Sequence, residues 1–367
     1  MLGFAWQALR RQPARVAASV GAVASSVMLV VVAGGVYLGL LDAMVGWPRT
    51  LRGDVVVSEA GSGAMLLRSS SRLAPAVQRA VRAVPGVGAV HALTGRLVWL
   101  EHGEHEALVY LVGIEPGDAF GAPLRVVVGR SRPAPHQILV DVVLAHELGV
   151  GLGDRLRVGA ATLTVAGITA GGNAVLGTFA FVHRGALLLG GMQAPGFLFV
   201  EARDGVAPAA LAERVRAAAD VDAVPADTFL AENQAIVRQI VLPLIAVLVV
   251  VSAAVGGAIV AVTLWTATRE RRAEYGLLAA IGLPDGALAA AVLCQGLLAG
   301  LLGAALGVAG ALAIAVGVPL VEPRFVVVVP LGLAVETAAG AIVVALVAAL
   351  APLRALRRLD PALVFRV

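Results

Sequence analysis

The chain has no lysine: of its 367 residues, 28 are basic and every one of those is arginine. A phosphate-binding loop of the Walker type needs a lysine on the β- and γ-phosphates, so this chain cannot hydrolyse ATP by that route. Side-chain Schiff-base chemistry with pyridoxal phosphate or a carbonyl substrate is excluded as well. The one cysteine, Cys294, sits inside an apolar run, which rules out a disulfide within the chain and any cysteine-rich metal site. Charge is also scarce, at 14% of residues against 59% hydrophobic, whereas soluble domains have about 25% charged residues. The formal charge of +4 does not point to nucleic acid, because the arginines are scattered among apolar spans and form no basic stripe. Few aromatics (4%) beside 43 glycines describe an apolar, small-residue chain carried in a membrane.

Four runs are long enough to cross a bilayer, for which about 20 apolar residues suffice. Val16 to Leu41 holds no charge, and it is far longer than the apolar core of a signal peptide, about 7–15 residues. Arg238 and Arg269 bracket the second run, Asp285 and Glu322 the third, and the fourth, from Leu331 to Leu353, contains one acid, Glu336. Orientation follows the arginines. Arg10, Arg11 and Arg15 precede the first run, Arg269, Arg271 and Arg272 follow the second, and Arg354, Arg357, Arg358 and Arg366 follow the fourth. Both termini of this multi-pass chain are therefore expected on the cytoplasmic side. The expected plan is an amphipathic entry helix at 1–15 and spans at 16–41, 239–268, 287–318 and 331–353. An outer domain fills 42–238, a cytoplasmic loop 269–286, an outer loop 319–330 and a cytoplasmic tail 354–367.

Residues 42–238 alternate strand-like runs with turn signals, as in Asp54 to Val57, Arg96 to Leu100, Ala107 to Val112, Gln137 to Val140, Arg155 to Val158, Thr162 to Ile168 and Gly196 to Val200. Two helical segments resemble each other. Ala74-Pro75-Ala76 opens one and Ala207-Pro208-Ala209 the other, each with proline in the first turn, and each is followed by a short apolar strand, Val87 to Val90 and Val221 to Val224. This repetition predicts an α+β domain of split ferredoxin-like type with a β-rich insertion at about 116–205.

Three cytoplasmic-side segments carry a known pattern. Arg269-Glu270-Arg271-Arg272-Ala273-Glu274-Tyr275-Gly276-Leu277-Leu278-Ala279-Ala280-Ile281-Gly282 resembles the R-x-x-E-I-G-I-L-R-A-L-G segment of the FtsX-like/MacB family of ABC transporter permeases. The tail Ala351-Pro352-Leu353-Arg354-Ala355-Leu356-Arg357-Arg358-Leu359-Asp360-Pro361-Ala362 is similar to that family's ending, and Trp6 to Arg15 looks like its entry helix. In the outer domain, Leu144-Ala145-His146-Glu147-Leu148-Gly149-Val150-Gly151-Leu152-Gly153-Asp154 resembles the family's L-A-x-x-L-G-V-x-V-G-D stretch, and Thr164-Val165-Ala166-Gly167-Ile168 the strand after it. Ala273, Ala279 and Gln295 stand where members often have Arg, Arg or Lys, and Glu.

The resemblance implies a four-span (one plus three) helical membrane protein of the mechanotransmission, lipoprotein-release-like kind, multi-pass in the inner membrane of a bacterial cell. It binds no cofactor directly; ATP and Mg belong to a separate ABC ATPase subunit. It pairs with a second permease chain, as homodimer or heterodimer, sits among membrane lipids, and can meet an extracytoplasmic adaptor or lipoprotein; nucleic acid is no partner. The ATPase docks at the coupling loop, through Arg269, Glu270, Arg271, Arg272, Glu274, Tyr275, Gly276, Leu278, Ile281 and Gly282. The residues alone give this loop an amphipathic face suited to the interface, ended by Gly282 and the Pro284-Asp285-Gly286 turn, or equally a basic loop on lipid headgroups. Two readings remain open beside transport: a non-transporting FtsX-like regulator of an outer partner, and a membrane-anchored receptor without an ATPase.

Other candidates carry less chemistry. Gly296, Gly300, Gly303, Gly307 and Gly310 in the third span suit close helix packing, against a partner the sequence does not name. Glu336 is a proton site or substrate contact, or else a side chain reaching water or Arg324 near the outer surface. Glu101-His102-Gly103-Glu104-His105-Glu106 falls between two strands and reads as a polar hairpin sooner than a metal site, and no second histidine follows His146-Glu147 at zinc-protease spacing. No nucleophile–base pair is evident and no catalytic residue is expected.

Overall fold

Inside a bilayer an apolar run can satisfy its own backbone hydrogen bonds as a helix, and four long helices take up the four runs. The computed structural model describes residues 13–63, 66, 71–115, 120–174, 177–189, 194–270, 285–322 and 324–356. Helix α1 is Pro13–Gly46, α6 is Ala226–Glu270, α7 is Asp285–Val321 and α8 is Leu331–Leu356. Their span-length apolar parts are Val16–Gly46, Val237–Glu270, Val292–Val321 and Leu331–Leu350. Helix α1 runs on past Leu41 because Asp42, the first charge, lies on an exposed side, where its carboxylate accepts from Arg49 at 2.8 Å. The expected entry helix falls outside the described residues up to position 12, and the tail does so from 357 on.

The chain divides into two units, one from the described parts of 1–39 and 241–367, the other 40–240. The first is the helical unit. Val23, Val27 and Val31 of α1, Val260 of α6, Ala304 and Ala311 of α7 and Ala345 of α8 make its buried centre. Between α7 and α8 the chain lies extended along α1, where the Val328 N–H donates to the Gly35 carbonyl at 3.0 Å. Gly39 has no room for a Cβ there, because the Val326 carbonyl occupies that place.

The second unit is β-rich. Strand β1 (Val55–Glu59), helix α2 (Pro75–Ala83), strand β2 (Val87–His102), strand β10 (Phe197–Ala202), helix α5 (Pro208–Ala218) and strand β11 (Val221–Pro225) form its first lobe. The strand order is β11-β1-β10-β2, antiparallel throughout, which is the ferredoxin-like arrangement of a split βαβ pair. Both helices open on proline at the first turn without a side-chain cap. They lay Val81, Leu211 and Val215 over Val55, Val57 and Leu198 of the sheet.

Between β2 and β10 the chain builds a second lobe. It consists of β3 (His105–Ile114), β4 (Arg125–Gly129), β5 (Gln137–Asp141), α3 (Val142–Leu148), β6 (Arg155–Val158), β7 (Ala161–Ala170), β8 (Asn173–Ala174), β9 (Gly177–His183) and α4 (Arg184–Leu189). Strands β2-β3-β9-β5-β7 pair in that order, and β6 pairs with both β7 and β2, closing a ring. Its closing pair is Glu101 opposite Arg157, reinforced by their ion pair. Leu100, Val109, Ile138, Leu156 and Val182 fill the interior.

The insertion expected at 116–205 has different bounds. Strand β10 belongs to the first lobe, paired on both sides by β1 and β2. The second lobe begins earlier, because Val87–Val90 and Arg96–Leu100 are not two strands: β2 is one 16-residue strand whose first half pairs β10 and whose second half pairs β3. Strands β4 and β9 were not among the sequence runs. Glycine at one end of each, Gly129 and Gly177, blurs the alternation that marks a strand.

The stretch from Asp141 to Asp154 shows local chemistry fixing a corner. The Asp141 carboxylate caps α3 by accepting from the Val143 N–H at 3.0 Å, and it also accepts from the Gly172 N–H at 2.8 Å. Gly149 ends the helix at φ 64, a left-handed value that favours glycine. Asp154 then accepts from the Gly151 N–H at 2.7 Å. Asp141→Ala strands two buried donors and should cost about 2–4 kcal/mol in chemical denaturation. Burial pushes the Asp141 carboxyl above its ordinary value of 3.8, more than its two backbone hydrogen bonds and Arg125 lower it. With the folded value raised, this group's contribution is complete below the unfolded pKa and is lost as pH rises through the folded one. The stability of the native protein relative to Asp141→Asn should accordingly fall as pH is raised through that window. A difference that does not vary with pH would contradict the assignment.

Candidate functional site

Helix α6 carries the first two residues of the expected coupling segment, Arg269 and Glu270, at its C-terminal end, where arginine complements the helix dipole. Arg271, Arg272, Glu274, Tyr275, Gly276, Leu278, Ile281 and Gly282 lie outside the described residues.

The glycines of α7 divide between two neighbours. Gly296 and Gly300 lie against α8, where an added Cβ would stand 3.1 Å from the Ala349 Cβ and 3.3 Å from the Ile342 Cα respectively. Gly303, Gly307 and Gly310 lie against α1. At Gly303 a Cβ would stand 2.6 Å from the Val23 Cβ, at Gly307 2.6 Å from the Ala24 carbonyl oxygen, and at Gly310 2.9 Å from the Met28 sulfur. Close backbone approach of this kind is what small residues allow between helices in lipid.

Glu336 opens onto a groove of about 430 Å³ between α1, α6 and α8. Each helix offers it one face at spacings of three and four: Val23, Ser26 and Val27 from α1, Val249, Ser252 and Gly256 from α6, and Leu333, Glu336 and Gly340 from α8. The Ser26 hydroxyl donates across the groove floor to the Ser252 carbonyl at 3.1 Å. Gly256 leaves room for that contact, since a Cβ there would stand 2.5 Å from the Ser26 oxygen. Among the described residues neither the Ser252 hydroxyl nor the Glu336 carboxylate has a hydrogen-bond or ion-pair partner, so Arg324 is not paired with Glu336. Ser26, Ser252 and Thr337 were passed over in the sequence. Their signal is helical spacing from the acid and from each other, which only the facing of three helices makes readable.

The polar run 101–106 forms the hairpin end of β2 and β3, with His102 opposite His105 and Gly103 in the turn at φ 61. Two of its groups are engaged locally: Glu101 by Arg157, and the His102 Nδ1 by the Leu148 carbonyl at 3.1 Å.

Comparison with known families decides among these observations. The family model for the MacB-like periplasmic core domain matches residues 16–218, over half of the chain, and that for the FtsX-like permease C-terminal region matches 246–361. The chain belongs to the FtsX-like/MacB family of ABC transporter permeases. The permease is thus a membrane protein, and its family implies an ATPase on a separate subunit and a second permease chain. No curated protein matches it. Among solved structures it is similar to the extracellular domain of the noncanonic ABC-type transporter YknZ from Gram-positive bacteria, at 16% identity and TM-score 0.34, covering 47% of this chain and 100% of that one. It is also similar to the periplasmic region of MacB from Actinobacillus actinomycetemcomitans, at 15% identity and TM-score 0.36, covering 48% and 90%.

Proposed function

We propose that this permease is the membrane subunit of a bacterial ABC transporter that takes ATP-driven movement from a separate ATPase and passes it to its β-rich domain outside the membrane. The substrate is lipophilic or lipoprotein-like and is exported or extracted from the membrane. The observation that carries this reading is the joining, in one chain, of a MacB-like core domain with an FtsX-like permease C-terminal region. The absence of lysine supports it, since a phosphate-binding loop needs one and these 367 residues offer none, which agrees with ATP and Mg on a separate subunit. The arginine distribution supports an inner-membrane orientation with both termini in the cytoplasm, which puts segment 269–286 on the ATPase side. Two such chains work as a dimer, with Arg269 to Gly282 as the docking surface on each.

Two measurements test this. The permease should co-purify with a stoichiometric ATPase that carries the missing lysine; purification without any such protein would favour a receptor. Arg271→Glu with Arg272→Glu should then uncouple the complex, leaving insertion and ATP hydrolysis while transport drops. Reversing two interface charges costs about 2–5 kcal/mol of docking, which weakens it by more than about tenfold. Undiminished transport in the double variant would remove the loop from this role.

A further inference from the structure

We infer that the groove between α1, α6 and α8 binds a cationic amphiphile, an alkyl chain with an ammonium head, and that Glu336 supplies the counter-charge. Glu336 lies five residues into α8, about 7–8 Å along its axis, within the span-length segment. A carboxylate at such a place is costly unless it is matched by an opposite charge or by donors. Among the described residues no arginine lines the groove, and the acid has no partner. No described residue supplies the matching charge, and a cationic head in the groove would.

A second polar group points the same way. Ser252 lines the groove, is 5% exposed, and its buried hydroxyl has no hydrogen-bond partner among the described residues. A serine hydroxyl within a helix ordinarily returns to a carbonyl one turn back, as Thr268 does to Leu264 at 2.7 Å in the same helix. The Ser252 hydroxyl does not, which leaves an unmatched polar atom in the wall of the groove. An ammonium head offers several N–H donors, which suits an anionic oxygen and a hydroxyl oxygen, whereas an anionic head would be repelled by Glu336.

The remaining wall is apolar. Val27, Val30, Val260 and Val344 line it, and its volume of about 430 Å³ falls within the range of small-molecule sites. Gly340 widens it: a Cβ there would meet nothing within 4 Å. A larger side chain at that position would enter the groove without striking a neighbouring helix.

The site goes beyond the transport reading and does not need the ATPase. Full-length permease is placed in phosphatidylcholine nanodiscs and titrated with radiolabelled dodecylammonium, with empty nanodiscs as the baseline and dodecanol as the uncharged chain. Saturable binding near one per chain is expected, with dodecanol weaker. Glu336→Gln should weaken dodecylammonium by about tenfold or more, the loss expected for an unmatched charged hydrogen bond, and leave dodecanol unchanged. Glu336→Asp should keep part of the preference, and Gly340→Leu should reduce binding of both probes. Equal binding of the two probes by the native chain would overturn the inference, and so would dodecylammonium binding insensitive to Glu336→Gln or to Gly340→Leu. Because no ATP is present, any of these results leaves the transport reading untouched, and failure of coupling at Arg271 and Arg272 leaves the groove untouched.

Discussion

Trp47→Ala is expected to cost the β-rich domain about 3–5 kcal/mol, the range for removing a large buried aromatic. Trp47 is fully buried, with its ring 4.5 Å from Phe179 and 5.7 Å from Phe181, and Phe179 in turn lies 5.8 Å from Tyr110. Its indole N–H donates to the Ala122 carbonyl at 2.9 Å. Truncation therefore removes the centre of an aromatic cluster, opens a cavity and leaves that carbonyl without its donor. Domains of this size are stable by about 5–15 kcal/mol in all, so the loss is a large share. Trp47→Phe keeps a ring in place and loses the hydrogen bond and some volume, and should cost less than half as much. Hydrogen exchange of the β9 amides, followed by mass spectrometry on the full chain in detergent, reads both variants. Protection at Phe179 to Val182 that matches the native chain in Trp47→Ala would refute the prediction.

Gly307→Leu should strongly destabilise the helical unit. The new side chain would start 2.6 Å from the Ala24 carbonyl oxygen and 2.7 Å from the Val27 Cβ, both on α1. Backbone cannot give way there without moving a whole helix, and overpacking of this kind costs about 1–3 kcal/mol or more. The same helix supplies the control. A Cβ at Gly317 would meet nothing within 4 Å, so Gly317→Leu adds the same atoms with the same gain in helix propensity and no clash. The melting temperature in detergent, read by fluorescence-detected size-exclusion chromatography after heating, should drop for Gly307→Leu and hold for Gly317→Leu. Equal drops would mean that bulk alone, and not contact with α1, is the cause.

The spans were legible because their signal is local: charge is absent over a stretch, and its return marks the ends to within a few residues. The ferredoxin-like lobe was legible because Ala74-Pro75-Ala76 and Ala207-Pro208-Ala209 start its two helices in the same way. The partition of strands between lobes was not. Gly196 to Val200 reads as a strand in either lobe, and only pairing with Val55 to Val57 on one side and Val90 to Leu93 on the other assigns it. Such register is a long-range property that alternation within a strand does not contain. The groove around Glu336 was hidden for a related reason. The acid stood out alone in its span, but Ser26 and Ser252 lie 226 residues apart, and nothing in either neighbourhood links them until their helices are side by side. Likewise the spacing of Gly296 to Gly310 announced close packing, while its division between α8 and α1 depends on which way each Cβ direction faces.

Strand β2 belongs to both sheets of the β-rich domain, and this bears on how such domains can be recombined. The second lobe leaves the chain near Pro195 through a loop but enters it within hydrogen-bonded backbone, between Leu93 opposite Phe197 and Thr94 opposite Gly113. A chimera that exchanges the lobe by cutting at two loops would either carry half a strand from the host or leave one behind. The workable joint on that side is the hairpin's parent strand taken whole, from Val87, together with the β10 edge it pairs. What looks like an inserted module is, for protein engineering, inseparable from one strand of its host.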